Sequence, residues 1–189
     1  MTGHEPHSDD GTAVDAVVAL GANLGERAAT LDTAVTELDR LPGTAVVGAS
    51  RWHESVALTA EGLDLDKPAY LNGVTVLSTR LDPQALLREL RRIELAHGRD
   101  RSAAAPRWGD RTLDLDLIVH GDARLETPQL TLPHPRAHER DFVLRPWLEV
   151  RPEAVLPGRG PVAELLANLT ESAVPAEQSA PSPPAGGGS

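Results

Sequence analysis

Two acidic side chains separated by one residue lie in the middle of the sequence. Asp114 and Asp116 belong to the segment RWGDRTLDLDLI, which covers positions 107–118. From Leu113 to Val119 the sequence alternates, which predicts a strand with four apolar side chains on one face, Leu113, Leu115, Leu117 and Val119. The two aspartates then share the other face with Cα atoms about 6.5 Å apart, where both carboxylates can reach one or two hard cations.

Arginines are dense just before this carboxylate pair. Positions 99–111 contain Arg99, Arg101, Arg107 and Arg111. A guanidinium group matches the oxygens of a phosphate in charge and in geometry. Metal-binding carboxylates beside phosphate-binding arginines therefore indicate metal-dependent chemistry on a polyphosphate, and several phosphate chemistries stay open at this point. Small apolar residues fill the middle of the arginine-rich segment, and we predict that it is a lid over the site.

The composition limits the class of protein. With 189 residues and 40% hydrophobic residues, the chain is long enough for one core, and we predict one catalytic domain. The net charge of −10 disfavours nucleic acid and anionic membranes as partners. The chain has no cysteine, which excludes disulfides and thiolate metal sites and fits a cytoplasmic location. The sequence also predicts no signal peptide and no membrane span.

The elements that must position the carboxylates follow from hydrophobic periodicity and turn residues. The pattern predicts strands over 13–20, 44–50 and 70–77, helices over 26–38 and 83–98, and then the aspartate strand. Asp82 and Pro83 are typical of the first turn of the second helix. The order β-α-β-β-α-β predicts an α+β fold, a ferredoxin-like layer sandwich with a mainly antiparallel sheet and packed helices.

The remaining segments complete the predicted organisation. Residues 54–67 lack periodicity and are predicted to form a long loop, and a short last helix is predicted over 162–169. We expect a disordered leader over 1–12, a domain over 13–169, and a disordered tail rich in Pro, Ala, Gly and Ser over 170–189. In the first helix, the side chains expected to face the core are Leu24, Ala28, Leu31, Val35 and Leu38.

One histidine is held by its neighbours. His134 lies between Pro133 and Pro135, whose rings restrict the backbone. The residues alone leave two interpretations open, a functional hydrogen-bond donor and a solvated loop residue. The glycine turn GANLG at 21–25 lacks the spacing of a Walker or dinucleotide motif, which favours a plain turn.

Several segments together resemble one enzyme family. RWGDRTLDLDLI is similar to the signature of 6-hydroxymethyl-7,8-dihydropterin pyrophosphokinases, as are VALGANLG, YLNGV, RRIELAHGR, LTLPHPRAHERDFVL and RPWLEVRPE, in family order over about residues 14–160. The resemblance implies transfer of the β,γ-diphosphate of ATP to the pterin hydroxymethyl group, with release of AMP, in tetrahydrofolate biosynthesis. It implies ATP and the pterin as small-molecule substrates, and a monomer is expected.

The resemblance also implies roles for individual residues. Asp114 and Asp116 would bind two Mg²⁺ ions, and Arg99 and Arg111 would stabilise the transferring phosphates. Arg101 and Trp108 would belong to the mobile catalytic loop. The nucleotide phosphates would contact His134 and Arg140, and the adenosine would contact Leu87, Glu94, Leu117, Leu130 and Thr131. Tyr70 and Phe142 would sandwich the pterin, while Asn72 would read its hydrogen-bonding edge.

Some residues depart from the family pattern, and other readings stay open. Asp110 replaces a usual proline, Ser55-Val56-Ala57 replaces a threonine-proline-proline segment, and Arg91 and Gln129 stand where Gln and Arg are common. Another Mg-dependent nucleotide phosphoryl-transfer enzyme is the main alternative, because Asp-Leu-Asp alone would suit it. The second alternative is a nucleic-acid-binding α+β module, and the net charge of the chain disfavours it.

Overall fold

The computed structural model describes residues 12–55, 57–59, 62–64, 69–98 and 112–173. Along the chain these residues form β1 (Val14–Ala22), α1 (Arg27–Asp39), β2 (Thr44–Ala49), β3 (His53–Ser55), β4 (Ala57–Thr59), β5 (Gly62–Asp64), β6 (Tyr70–Thr79), α2 (Pro83–Ala96), β7 (Asp114–His120), β8 (Leu125–Glu126), β9 (Thr131–Leu132), a 3₁₀ turn (Ala137–Glu139), α3 (Asp141–Val150), β10 (Val155–Leu156), β11 (Gly160–Pro161) and α4 (Val162–Ala173).

The central sheet has the strand order β2-β6-β1-β7, and each of these neighbouring pairs is antiparallel. β3 also pairs with β6, at the end of β6 that extends beyond β2. The first strand therefore lies in the middle of the sheet, between the third and fourth long strands, as in a ferredoxin-like sandwich. The predicted α+β class with a mainly antiparallel sheet is confirmed.

Helices cover both faces of this sheet. Alternate residues of β1 point to two separate cores: Val18 packs with α1 and α2, whereas Val17 packs with α3 and α4. Leu31, Leu38 and Leu90 are fully buried in the first of these, which we call the α1/α2 core. The second, the α3/α4 core, is where the C-terminal helices add a third layer to the sandwich.

A β-bulge changes the direction of side chains near the end of β7. Val18 pairs with Leu117 and Val17 pairs with Val119, so that Ile118 is an extra residue on β7. Leu117 packs in the α1/α2 core, but Val119 packs together with Ile118 in the α3/α4 core. The prediction that Val119 shares a face with Leu117 is wrong, because strict alternation assumes a strand without a bulge.

The predicted loop over 54–67 contains short strands in its described residues. β4 and β5 form a hairpin, and β3 pairs with the first three residues of β6. The loop prediction is wrong for these residues, because the pairing of β4 with β5 and of β3 with β6 depends on backbone hydrogen bonds that side-chain periodicity does not encode.

The helix termini follow the sequence signals closely, with two differences. The Asp82 side chain accepts a hydrogen bond from the Ala85 backbone N at 2.7 Å, so α2 begins as predicted. Ala28, expected in the core, is exposed, because the buried positions of α1 begin one turn later at Leu31. α4 continues to Ala173, past the predicted start of the tail. No helix in the described ranges is long and apolar enough to cross a membrane.

Candidate active site

Residues from four neighbouring strands form a row across the sheet, which we call the cross-sheet row. His53 of β3 pairs with Asn72 of β6, Asn72 pairs with Gly21 of β1, and Gly21 pairs with Asp114 of β7. Directly paired residues point to the same face. That face is the α3 side, because Val74, two residues after Asn72, belongs to the α3/α4 core. Since neighbouring strands lie about 4.8 Å apart, the Cα atoms of Asn72 and Asp114 are about 10 Å apart, with Gly21 between them.

The glycine keeps the middle of the row open. A Cβ atom on Gly21 would lie 3.2 Å from the Asn72 side-chain oxygen, closer than an ordinary van der Waals contact. Asn72 itself is 8% exposed, and its Nδ2 donates a hydrogen bond to Ser55 Oγ at 2.7 Å. The amide is therefore oriented by β3 and faces a space without a side chain. Ser55 departs from the family pattern, and its hydroxyl is the acceptor of this hydrogen bond.

An arginine connects the carboxylate pair to an aromatic ring. Both aspartates are half-buried, and Asp116 Oδ2 lies 3.0 Å from Arg140 Nη1. The guanidinium carbon of Arg140 also lies 5.7 Å from the centre of the Phe142 ring. This distance permits a cation–π contact in addition to the ion pair. Arg140, which precedes α3, thus ties the first turn of that helix to β7.

A buried glutamate supports the carboxylate strand from the opposite face. The family resemblance implies that Glu94 contacts the adenosine, and the structure buries its side chain completely. Glu94 Oε1 accepts a hydrogen bond from the backbone N of Leu115 at 2.9 Å. Leu115 lies between Asp114 and Asp116, so Glu94 fixes the part of β7 that carries both of them. A charged residue spaced on the apolar face of α2 is the sequence signal for such a role.

The histidine between two prolines lies beside the carboxylates. The backbone N of His134 donates to Ile118 O at 2.8 Å, and its Nδ1 accepts from the Arg136 backbone N at 3.2 Å. Burial lowers the pKa of His134, nearby Asp116 opposes this effect, and Arg140 adds to it. The imidazole is therefore mainly neutral at neutral pH. Its Nε2 can serve as a hydrogen-bonding group at the site.

A cavity of about 270 Å³ adjoins Asp116. Its wall includes five side chains for which the family resemblance implies contact with the nucleotide: Leu87, Leu117, Leu130, Thr131 and His134. Arg91 and Gln129, two departures from the family pattern, also line it, and Arg91 Nη2 donates to Gln129 O at 3.3 Å. The lining from α2, β7 and β9 contains apolar and polar side chains in about equal number, which gives a flat heteroaromatic ring such as a nucleobase both a packing surface and hydrogen-bonding groups.

The remaining predicted residues divide into two groups. Tyr70 and Phe142 are both half-buried; Tyr70 precedes Asn72 by two residues on β6 and shares its face, while Phe142 is in the first turn of α3. Asp110 lies outside the described residues. So do the four residues predicted to act from the arginine-rich connector, Arg99, Arg101, Trp108 and Arg111. The described residues on either side of this connector are tied together, because Thr112 Oγ1 donates to His97 O at 2.6 Å.

The fold and the site together define a class of enzyme. An α+β sandwich with paired carboxylates, a histidine and an arginine beside an open cavity is suited to nucleotide-dependent phosphoryl transfer. The chain belongs to the 7,8-dihydro-6-hydroxymethylpterin-pyrophosphokinase family, whose model matches residues 17–152.

Curated relatives agree with this membership, and a solved structure shares the fold. The chain is 36% identical to 2-amino-4-hydroxy-6-hydroxymethyldihydropteridine pyrophosphokinase of Haemophilus influenzae, over 84% of this chain and 94% of that one. It is 41% identical to the enzyme of the same name from Pseudomonas aeruginosa, over 79% and 88%. The Plasmodium falciparum HPPK-DHPS wild-type structure with pteroate has the same fold, with a TM-score of 0.67 at 14% identity. That match covers 87% of this chain and 44% of the longer Plasmodium chain.

Proposed function

We propose that the cross-sheet row and the adjoining cavity carry out the diphosphate transfer of this family, with the pterin at Asn72 and ATP in the cavity beside Asp116. The chain is an ATP-dependent diphosphotransferase that acts on 6-hydroxymethyl-7,8-dihydropterin in folate synthesis. In this reaction the hydroxymethyl oxygen bonds to the β-phosphorus of ATP and loses its proton. The bond from that phosphorus to the oxygen shared with the α-phosphate breaks, and AMP leaves.

The single observation that carries this proposal is the spacing within the cross-sheet row. Asn72 can both donate and accept hydrogen bonds, as the amide-like edge of a pterin requires. Tyr70 and Phe142 have flat faces for stacking on the pterin ring. Gly21 leaves the strand surface between Asn72 and Asp114 free of a side chain. A bicyclic ring held by Asn72 would therefore direct its hydroxymethyl group toward the carboxylates.

The carboxylate pair has the chemistry of a Mg²⁺ site. The described residues contain no cluster of three or more acidic, histidine or cysteine side chains that could hold a metal. Two carboxylates nevertheless suit Mg²⁺, because this ion is usually bound by one or two carboxylates together with substrate phosphates. Asp114 and Asp116 would hold two ions, which when bound neutralise and orient the triphosphate.

The surrounding residues would orient the nucleotide. His134 and Arg140 lie next to Asp116, where they can donate to phosphate oxygens. Arg99 and Arg111 are proposed to compensate charge on the transferring phosphates, with Arg101 and Trp108 closing the site from the same connector. Monomeric state and cytoplasmic location stay predictions from the sequence.

The decisive assay supplies purified protein with ATP, Mg²⁺ and the hydroxymethyl dihydropterin and separates the nucleotide products. We expect pterin-dependent release of AMP. Formation of ADP and phosphate without the pterin would instead support the alternative, another nucleotide phosphoryl-transfer enzyme.

Substitution of the carboxylates tests the metal assignment. Asp114→Ala and Asp116→Ala should each lower kcat by at least about a hundredfold, because each removes charge stabilisation that the metal site provides. Asp122→Ala is a matched control, since Asp122 is an exposed aspartate in the turn that follows β7. Circular dichroism checks that the fold survives. Wild-type turnover in either active-site variant would remove that carboxylate from the mechanism.

A further inference from the structure

The three residues of β3 are held by three different parts of the molecule. Ser55 accepts the hydrogen bond from Asn72, whereas Glu54 and His53 point to opposite faces of the sheet and meet side chains from different helices. β3 pairs only with β6 among the described strands, so it is an edge strand with a three-residue ladder. So short a ladder adds little stability by itself. Side-chain contacts must therefore contribute to its position.

On the α1 face the contact comes from Arg27, the first residue of α1. Arg27 Nη2 lies 3.1 Å from Glu54 Oε1, and Arg27 Nη1 donates to the backbone O of Ala69. Ala69 immediately precedes Tyr70, the first residue of β6. One guanidinium group therefore links β3 to the start of the strand with which β3 pairs. The Arg27 side chain is 28% exposed and that of Glu54 is 66% exposed, so the hydrogen bond to Ala69 is the part of this bridge that is shielded from solvent.

On the α3 face the contact comes from Glu149. Its Oε2 accepts a hydrogen bond from the Arg51 backbone N at 3.2 Å, and its Oε1 lies 2.9 Å from His53 Nε2. Glu149 follows Phe142 by seven residues, two helical turns, so both lie on the same side of α3. The helix that carries the proposed pterin-stacking ring thus also holds the strand opposite Asn72. Sequence spacing alone does not show this connection.

We infer that Arg27 and Glu149 are positioning residues, which hold β3 against β6 from opposite faces and thereby keep Ser55 in place to orient the Asn72 amide. This role rests on the proposed function, because it matters for catalysis only if Asn72 reads the pterin edge. If β3 separates from β6, the Asn72 side chain loses its partner and must be ordered again when the pterin binds. That ordering weakens pterin binding without changing the nucleotide cavity.

The test compares two charge-removing variants with matched controls. Glu149→Gln and Arg27→Gln each disturb one contact of β3. Asp15→Asn and Arg151→Gln make the same chemical changes in the Asp15–Arg151 ion pair, whose atoms are 3.6 Å apart and which joins the beginning of β1 to the end of α3. We expect about a tenfold rise in the pterin KM for each of the first two variants. The ATP KM and kcat should stay near wild type, and the controls should be unchanged.

Amide hydrogen exchange gives a second reading that does not depend on activity. In the ligand-free protein, protection of residues 53–55 should fall in both variants, while the β1–β6 and β1–β7 ladders keep their protection. If the wild type makes no AMP, the proposed function fails, and the exchange pattern still decides whether the two residues position β3. Wild-type exchange together with a wild-type pterin KM would overturn the inference. So would an equal rise in the KM for pterin and ATP with loss of protection throughout the sheet, which would show a general structural role.

Discussion

Gly73→Ala should destabilise the fold, because the backbone of β6 is covered closely by an aromatic ring at this position. A Cβ atom on Gly73 would lie 2.5 Å from Cε3 and Cζ3 of Trp52 and 3.0 Å from Ser50 Oγ. Carbon atoms in contact are normally about 3.5–4.0 Å apart, so the ring would have to move by about 1 Å or more. Trp52 cannot move freely, since it packs against the α1/α2 core and its Nε1 donates to Asp32 Oδ1 at 2.9 Å.

The magnitude follows from these two restraints. Overpacking of this kind costs about 1–3 kcal/mol, and weakening the Trp52–Asp32 hydrogen bond adds about 1 kcal/mol. We therefore expect the free energy of unfolding to fall by about 2–4 kcal/mol. Urea unfolding followed by circular dichroism measures this change, and an unchanged m-value would show that the surface exposed on unfolding has not changed.

A double-mutant cycle with Trp52→Leu isolates the steric contact. In the Trp52→Leu background the six-membered ring is gone, so Gly73→Ala should cost less than about 1 kcal/mol. Additive effects in the cycle would refute the reasoning, since the cost of Gly73→Ala would then not come from Trp52. A loss below about 0.5 kcal/mol in the wild-type background would refute it as well.

Two further predictions concern glutamates that support the site. Glu94→Ala should lower the free energy of unfolding by about 1–3 kcal/mol, because the buried Leu115 N–H loses its acceptor. Glu94→Gln keeps an oxygen at this position and should cost less in the same urea assay. Equal losses in the two variants would contradict this role of Glu94. Burial raises the pKa of the Glu149 carboxyl. The hydrogen bonds from Arg51 and the charge of His53 lower it by more, so the net pKa lies below the usual 4.5. The unfolded state then binds the proton more readily, so the contribution of Glu149 to stability is present above about pH 4.5 and is lost as the pH falls through the folded-state pKa. Unfolding experiments between about pH 7 and pH 3 should show the stability difference between wild type and Glu149→Gln shrinking toward acid, and a constant difference would argue against it.

The sequence by itself determined the local features of this protein. The alternation around Asp114 and Asp116 predicted their strand, and Asp82 with Pro83 predicted the start of α2. These features depend on residues close together in the chain, whose backbone preferences and side-chain periodicity act within one element. The family resemblance, carried by motifs spread over the domain, also followed from sequence and is confirmed by the family match.

Contacts between elements were decided by the tertiary structure. The bulge that turns Val119 to the other core and the pairing of β3 with β6 both depend on backbone hydrogen bonds between distant segments. The burial of Glu94 depends on how α2 packs against β7. No periodicity within a single element encodes such partners.

The cross-sheet row shows this division most clearly. The sequence contains Asn72, Gly21 and Asp114 in three separate motifs, and family resemblance assigns roles to two of them. Only the register of the antiparallel strands places the three side by side on one face. The distance between the amide and the carboxylate is therefore a property of strand pairing, and a slip of one residue in any ladder would turn one of these groups to the opposite face.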